Sequence, residues 1–394
     1  MNMKEVEVVI VGSGPSGIAT SACLSQKSIP HILLEREDCY VSLWRKYAYD
    51  RLNLHLAKEF CSLPFMPHSS TSPTFLTKAE FLEYIDSYVE HFNINPLYYR
   101  SVESAVYDEA EKKWRVEAKN MQEGFVEVYE AKFLVIATGE NSEHYVPDIP
   151  GLDSYEGETV HSKYYKSGSK YESKEVLVVG CGNSGMEIAY DLHKWGSYPS
   201  IVVRSPIHIL NKELVQRGMH MLKHLPVEVV DNVITELEKL AYGDLSKYGI
   251  YPPNKGPFYL KQVRGNAPVL DIGTIQKIKD GAIKVIPSQI MRIENKKVVF
   301  ENHMEKEFDV IVFATGYRSI ATKWLKDYKY VLNDNGMPKN TYPKHWKGEC
   351  GLYCAGLSRR GIFGASMDAE AIAKDIHQTI SLITTKLQYP SKDI

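Results

Sequence analysis

No apolar run in this 394-residue chain approaches the roughly 20 residues that a helix needs to cross a bilayer, so no membrane association is expected. Cysteine is sparse. Cys23, Cys39, Cys61, Cys181, Cys350 and Cys354, six in a chain this long, do not resemble a disulfide framework, which fits a reducing compartment. There is no block of like charge either: 47 Lys and Arg face 49 Asp and Glu, and the formal net charge of −2 offers no footprint for nucleic acid or anionic lipid. A small-molecule substrate is expected instead. No low-complexity or proline-rich linker divides the chain, and Met1-Asn2-Met3-Lys4-Glu5 runs straight into an apolar strand, leaving no room for a signal or transit peptide. The expectation is a soluble, cytoplasmic protein.

What is present is one phosphate-binding device, twice. Gly12-Ser13-Gly14-Pro15-Ser16-Gly17 and Gly180-Cys181-Gly182-Asn183-Ser184-Gly185 each follow a β-branched run and precede a helix-forming stretch. One G-x-G-x-x-G is weak evidence, but two in strand-turn-helix context predict one chain holding two dinucleotides. With 44% hydrophobic residues, the chain also exceeds the size at which a single core stops growing, so two cores are expected. The fold class read from this is α/β with two Rossmann-like dinucleotide-binding domains, the second inserted into a discontinuous first. The expected boundaries are 1–160 and 321–394 for the first domain and 161–320 for the second.

In the first turn, Gly12 permits the bend, Gly14 lets the backbone approach a pyrophosphate, and Gly17 lets helix and strand meet. Pro15 and Ser16 suit the first helical turn, whose free N–H groups attract phosphate. The strand His31–Leu34 then ends in Glu35, about 20 residues past the turn, where an acid accepts hydrogen bonds from ribose hydroxyls. In the second unit the matching strand, read over 201–204, ends in Arg204 and Ser205. A guanidinium there suits a 2′-phosphate and favours NADP over NAD, although a solvated strand-end arginine remains the alternative. Each half also carries an apolar strand running into Ala-Thr-Gly, with Thr138 and Gly139 in one and Thr315 and Gly316 in the other. The halves are built alike.

Three further stretches complete the reading. Between about 206 and 251, Val230, Val233, Ile234, Leu237 and Leu240 follow helical spacing and predict an inserted helical excursion, either a surface hairpin or a wall of the substrate channel. A strand is expected over 351–356 and a helix over about 368–387. Cys350 and Cys354, with His345, match no familiar zinc spacing, and no cysteine pair follows the first glycine turn closely enough for dithiol chemistry. With a flavin dinucleotide at one turn and NADPH at the other, hydride transfer from nicotinamide to flavin is the natural use. Reduced flavin reacting with dioxygen is then the economical outcome.

The segment from Tyr155 to Lys166, with Gly157, His161 and Tyr165, resembles the F-x-G-x-x-x-H-x-x-x-[YF]-[KR] motif of class B flavin monooxygenases, with Tyr155 in place of Phe. Ser42-Leu43-Trp44-Arg45, the stretch from Leu54 to Pro67, both Ala-Thr-Gly strands and Gly351-Leu352-Tyr353-Cys354-Ala355-Gly356 resemble the plant YUCCA group of indole-3-pyruvate monooxygenases in auxin synthesis. The resemblance implies FAD and NADP as cofactors and dioxygen as co-substrate. It implies oxidative decarboxylation of a 2-oxo acid through a flavin C4a-(hydro)peroxide, or N- or S-oxygenation of an amine or sulfur compound in related members. A sensor without turnover is the non-enzymatic alternative. Trp44, Arg45 and His55 are the matching candidates for the flavin site. The asparagine that many relatives place nearby is missing, since this chain reads Ala57-Lys58-Glu59-Phe60. His161 is expected to organise a junction, and no catalytic side chain is assigned.

Overall fold

The computed structural model describes residues 3–388, so the ends of the expected first domain, at 1 and 394, lie outside the described residues. Along the chain come β1 (Met3–Val11), α1 (Pro15–Ser25), β2 (His31–Leu34), α2 (Lys78–His91), β3 (Arg100–Asp108), β4 (Lys113–Asn120) and β5 (Val126–Ile136). There follow β6 (Glu158–His161), β7 (Glu175–Val179), α3 (Asn183–Lys194), β8 (Tyr198–Val202), α4 (Lys212–Met221), α5 (Val227–Tyr242) and α6 (Pro257–Arg264). The last principal elements are β9 (Lys284–Ile286), β10 (Val310–Phe313), β11 (Leu352–Cys354) and α7 (Gly361–Gln388). Two compact units result: Met1–Lys46, Lys58–Glu143 and Tyr317–Ile394 form unit one, and Tyr47–Ala57 with His144–Gly316 form unit two.

Unit one is built on a sheet in the order β2-β1-β5-β4-β3, with β11 also paired to β5. Strands β2, β1, β5 and β11 run parallel, with Val8 beside His31 and Val11 beside both Leu34 and Ile136. Both faces of β1 are covered, which is why Val8, Val9 and Ile10 are fully buried and why the strand shows no polar alternation. Each such side chain contributes roughly 1.5–3 kcal/mol by leaving water. Helix α1 packs against β1 and α7, and its small residues Ala19 and Ala22 allow close approach. Helix α2 starts at a capping box, in which Thr77 Oγ1 accepts from Glu80 N and Glu80 Oε2 accepts from Thr77 N.

Unit two carries an all-parallel sheet in the order β9-β8-β7-β10-β6. Val310 sits beside Val176 and Glu158, so the strand leading to the second Ala-Thr-Gly lies next to the one leading to the second glycine turn. The helical excursion runs past the expected 251, from α4 through α6, and is joined by Leu210, Leu214, Val215, Val230, Ile234, Phe258 and Leu270. The Asp231 carboxylate accepts from Phe258 N at 2.8 Å and Tyr259 N at 3.0 Å, capping α6.

Several boundaries differ from the sequence reading. Val230 and Ile234 are buried, but Val233 is 41% and Leu240 82% exposed, because a single helical face suffices for that small core. Strand β8 stops at Val202, leaving Arg204 and Ser205 two and three residues beyond it, in the exposed turn. Helix α7 starts at Gly361 rather than near Asp368, whose carboxylate is used inside the fold by His345 and the Gly356 amide. Cys350 is exposed at a positive φ of 53°, ahead of β11, while Cys354 is fully buried within it.

Candidate functional site

In unit one the turn after β1 is tight. Gly12 has φ of 102°, and a side chain there would meet Ala137 O at 2.6 Å; a side chain at Gly17 would meet Gly12 O at 1.9 Å. Gly14 is different: a Cβ there would meet nothing within 4 Å. It is also the N-cap of α1, with no side chain satisfying the first helical N–H groups. The open place therefore lies where the helix presents unpaired donors and its positive end. Glu35, 8% exposed, is locked to the turn: its Oε2 accepts from Ser13 N and Ser13 Oγ, both at 2.8 Å, and its Oε1 accepts from Glu37 N at 2.9 Å. Beyond β5, Thr138 Oγ1 is buried with no hydrogen-bond partner, and Gly139 follows at φ of 80° in open space. An unpaired donor, an orphaned hydroxyl and an open glycine fit the pyrophosphate and ribose of a dinucleotide.

Unit two repeats the arrangement. Gly180 has φ of 110° and a side chain there would meet Ala314 O, a side chain at Gly185 would meet Gly180 O at 1.9 Å, and Gly182 faces open space as the uncapped N-cap of α3. Asn183 Oδ1 accepts from Leu270 N at 2.7 Å, and Ser184 hydrogen-bonds Tyr49. Arg204 is exposed, and its positive charge reaches the turn: burial lifts the Cys181 thiol to about 11 while Arg204 acts in the opposite direction. Thr315 Oγ1 donates to Tyr145 O, so the second Ala-Thr-Gly hydroxyl is satisfied where the first is not; Gly316 has φ of 87° with open space around it.

The remaining candidates divide between the units. Trp44 meets Phe81 with ring centroids 4.7 Å apart, and Arg45 pairs with Asp86 of α2 while lying 4.6 Å over the Tyr40 ring. Both belong to unit one. His55 does not: with Tyr47–Ala57 it belongs to unit two, where its Nε2 meets Glu187 Oε1 at 2.8 Å. Glu187, 3% exposed on α3, also accepts from Tyr49 Oη at 2.8 Å, and burial followed by that negative charge raises the tyrosine's pKa well above its ordinary value. Sequence reasoning missed Glu187, whose only signal was an acid two residues past the last glycine of the turn. His161 accepts at Nδ1 from Lys163 N at 3.1 Å. Burial, and behind it His144 with its ring 5.0 Å away, pulls the His161 pKa down to about 4 and keeps the imidazole neutral. Among the described residues no group of three or more His, Cys, Asp or Glu could hold a metal ion, and no helix is long and apolar enough to cross a membrane.

Two Rossmann-like units, each with a glycine turn open at its middle glycine, define an oxidoreductase of the two-dinucleotide class. Residues 9–220 match the family described as pyridine nucleotide-disulphide oxidoreductase. The fold resembles the flavin-containing monooxygenase from Stenotrophomonas maltophilia, with a TM-score of 0.72 at 18% identity, covering 96% of this chain and 100% of the other. It also resembles cyclohexanone monooxygenase from Rhodococcus sp. Phi1 bound to NADP+, with a TM-score of 0.71 at 18% identity over 98% and 86%. By sequence the chain is 53% identical to the probable indole-3-pyruvate monooxygenase YUCCA10 of Arabidopsis thaliana, over 96% of this chain and 99% of that one. It is 46% identical to indole-3-pyruvate monooxygenase YUCCA6 of the same plant, over 94% and 90%. The chain belongs to this YUCCA family of flavin-dependent monooxygenases.

Proposed function

We propose that unit one holds FAD, that unit two holds NADP, and that the enzyme converts indole-3-pyruvate, dioxygen, NADPH and a proton into indole-3-acetate, carbon dioxide, water and NADP+. The carbon–carbon bond between carbonyl and carboxylate breaks, one oxygen atom enters the product acid, and the other leaves as water with the two electrons of NADPH. The observation that carries the reading is the pair of open glycines, Gly14 and Gly182, each at the uncapped start of a helix, in a chain of this family.

Bound FAD would supply the chemistry that accepts a hydride and activates dioxygen. The chain's own residues do the rest. The N–H groups at the starts of α1 and α3 take the pyrophosphates, Glu35 and Thr138 offer polar atoms to the first dinucleotide, and Arg204 offers its guanidinium to a 2′-phosphate. His161, neutral and hydrogen-bonded, orients backbone rather than moving protons.

The test is turnover of the purified holoenzyme with NADPH, oxygen and indole-3-pyruvate. Indole-3-acetate and carbon dioxide formed in proportion to NADPH consumed is the expected result. Hydrogen peroxide alone from every 2-oxo acid, together with hydroxylation of an amine, overturns the substrate assignment.

A further inference from the structure

Arg360 and His345 of unit one each bury a nitrogen that has no hydrogen-bond partner, Nη1 of the guanidinium and Nδ1 of the imidazole. Both side chains lie against one ring. The Arg360 Cζ is 4.1 Å from the Tyr342 ring centroid, and the His345 ring stacks on Tyr342 at 5.7 Å with 26° between planes. Arg360 also lies 5.9 Å from the Phe363 ring, which meets Phe60 edge-on at 6.1 Å. His345 is only 5% exposed and cannot turn away, because its Nε2 is held 2.8 Å from Asp368 Oδ1. The other Asp368 oxygen accepts from Gly356 N at 2.9 Å, so this carboxylate is committed within the fold.

A buried polar atom left unpaired is destabilising, and more so when the group is charged. The orphaned Arg360 nitrogen is a donor and calls for an acceptor, whereas His345 Nδ1, on a ring whose Nε2–H faces the Asp368 carboxylate, is the accepting nitrogen of a neutral imidazole. A guanidinium edge selects a planar anion, and a carboxylate matches its fork. Half-exposed Tyr342 and partly buried Phe363 offer flat apolar surface beside it, which suits an aromatic ring rather than a lone inorganic anion. An anionic oxygen could equally come from a dinucleotide phosphate, and the two sources are separable by experiment.

We propose that Arg360 receives the carboxylate of the aromatic 2-oxo acid and gives the enzyme its preference for an acid over an uncharged indole. The assignment rests on the substrate reading given under Proposed function. Arg360 is a specificity residue, reading the end of the substrate that is lost as carbon dioxide.

Equilibrium dialysis of the FAD-loaded enzyme, with indole-3-propionate as a carboxylate probe and tryptophol as its uncharged counterpart, tests this. The wild type should bind the acid more tightly, and R360Q should lose roughly ten- to hundredfold of that affinity. Tryptophol binding, FAD content and NADPH affinity should stay as in the wild type. R360K keeps the charge but not the fork, and should lose part of the acid affinity alone; it carries the same test if R360Q does not fold. Unchanged acid binding in these variants overturns the proposal, as does parallel loss of both probes or a loss confined to FAD or NADPH. Acid-selective binding without turnover of indole-3-pyruvate supports the site and sinks the substrate reading. Turnover with an unchanged KM in R360Q sinks the site and leaves the reaction standing.

Discussion

His55 Nε2 stands 2.8 Å from Glu187 Oε1, and this contact ties Tyr47–Ala57 to the helix that follows the second glycine turn. The segment leaves unit one after Lys46 and rejoins it at Lys58, so its place in unit two depends on what holds it there. Both oxygens of the buried carboxylate are used, one by His55 and one by Tyr49. Replacing Glu187 with Gln keeps the volume, removes the charge and leaves one of these donors facing an amide nitrogen. Stability measured by urea unfolding should fall by about 1–3 kcal/mol. Unfolding midpoints equal to the wild type would show that the segment is held by packing alone.

The helical excursion has its own buried latch, and it titrates. His208 presents Nδ1 to Glu238 Oε2 at 2.7 Å and Nε2 to Lys255 O at 2.8 Å, so both ring nitrogens face acceptors and the imidazolium is the form that satisfies them. Burial works against that charge, but the hydrogen bonds to Glu238 and Lys255 O, with the nearby Asp231 charge, outweigh it and raise the pKa above 6.5. A raised folded-state value stabilises below the unfolded pKa and is lost on the alkaline side. The contribution should therefore be complete below about pH 6.5 and should fade as pH rises through the higher folded value. Urea midpoints recorded against pH for the wild type and H208Q should converge as pH rises through that window; curves that stay parallel there would refute the latch.

How legible was this in the sequence? The elements around both glycine turns were, because their backbone demands leave few residue choices: Gly12 and Gly180 at positive φ, Gly17 and Gly185 against a carbonyl, and Val and Ile in strands covered on both faces. What escaped depended on long-range pairing. Nothing local distinguishes Glu187 from a solvated helix acid, and nothing near His55 indicates that its partner lies on α3. The helix expected from about 368 begins earlier, and the role of Asp368 is set by His345 and Gly356, which approach from outside the helix. Val233 and Leu240 fit the helical period as well as Val230 did, since periodicity identifies a face but not how far it is covered.

The glycines of the first turn should separate folding from binding. Gly17 has no room, since an added methyl would lie 1.9 Å from Gly12 O, so G17A should lose ~1–3 kcal/mol or more of stability. Gly14 has room and an ordinary φ of −68°, so flavin-free G14A should unfold near the temperature of the flavin-free wild type. Its methyl would instead occupy the space at the start of α1 where a pyrophosphate is expected. The purified G14A protein should be pale, with flavin absorbance well below the wild type at equal protein concentration. A fully yellow, fully stable G14A would mean that the phosphates do not lie over this glycine.

The second turn gives the sharpest test of cofactor choice, because its helix start is common to both nicotinamide dinucleotides and only the 2′-phosphate tells them apart. Arg204 lies beyond β8 in an exposed turn, close enough for its charge to act on Cys181. On the proposal that unit two holds NADP, a guanidinium there would gain a charge-assisted hydrogen bond with NADPH that NADH cannot offer. R204A should therefore weaken NADPH by roughly tenfold or more while leaving NADH nearly unchanged. Because the 2′-phosphate is a multiple anion, the wild-type preference should also shrink as salt is raised, and R204A should be the less salt-sensitive of the two. Apparent affinities for both dinucleotides at two ionic strengths decide the matter. Equal loss for NADPH and NADH would place Arg204 in the fold of the turn and leave discrimination to another side chain.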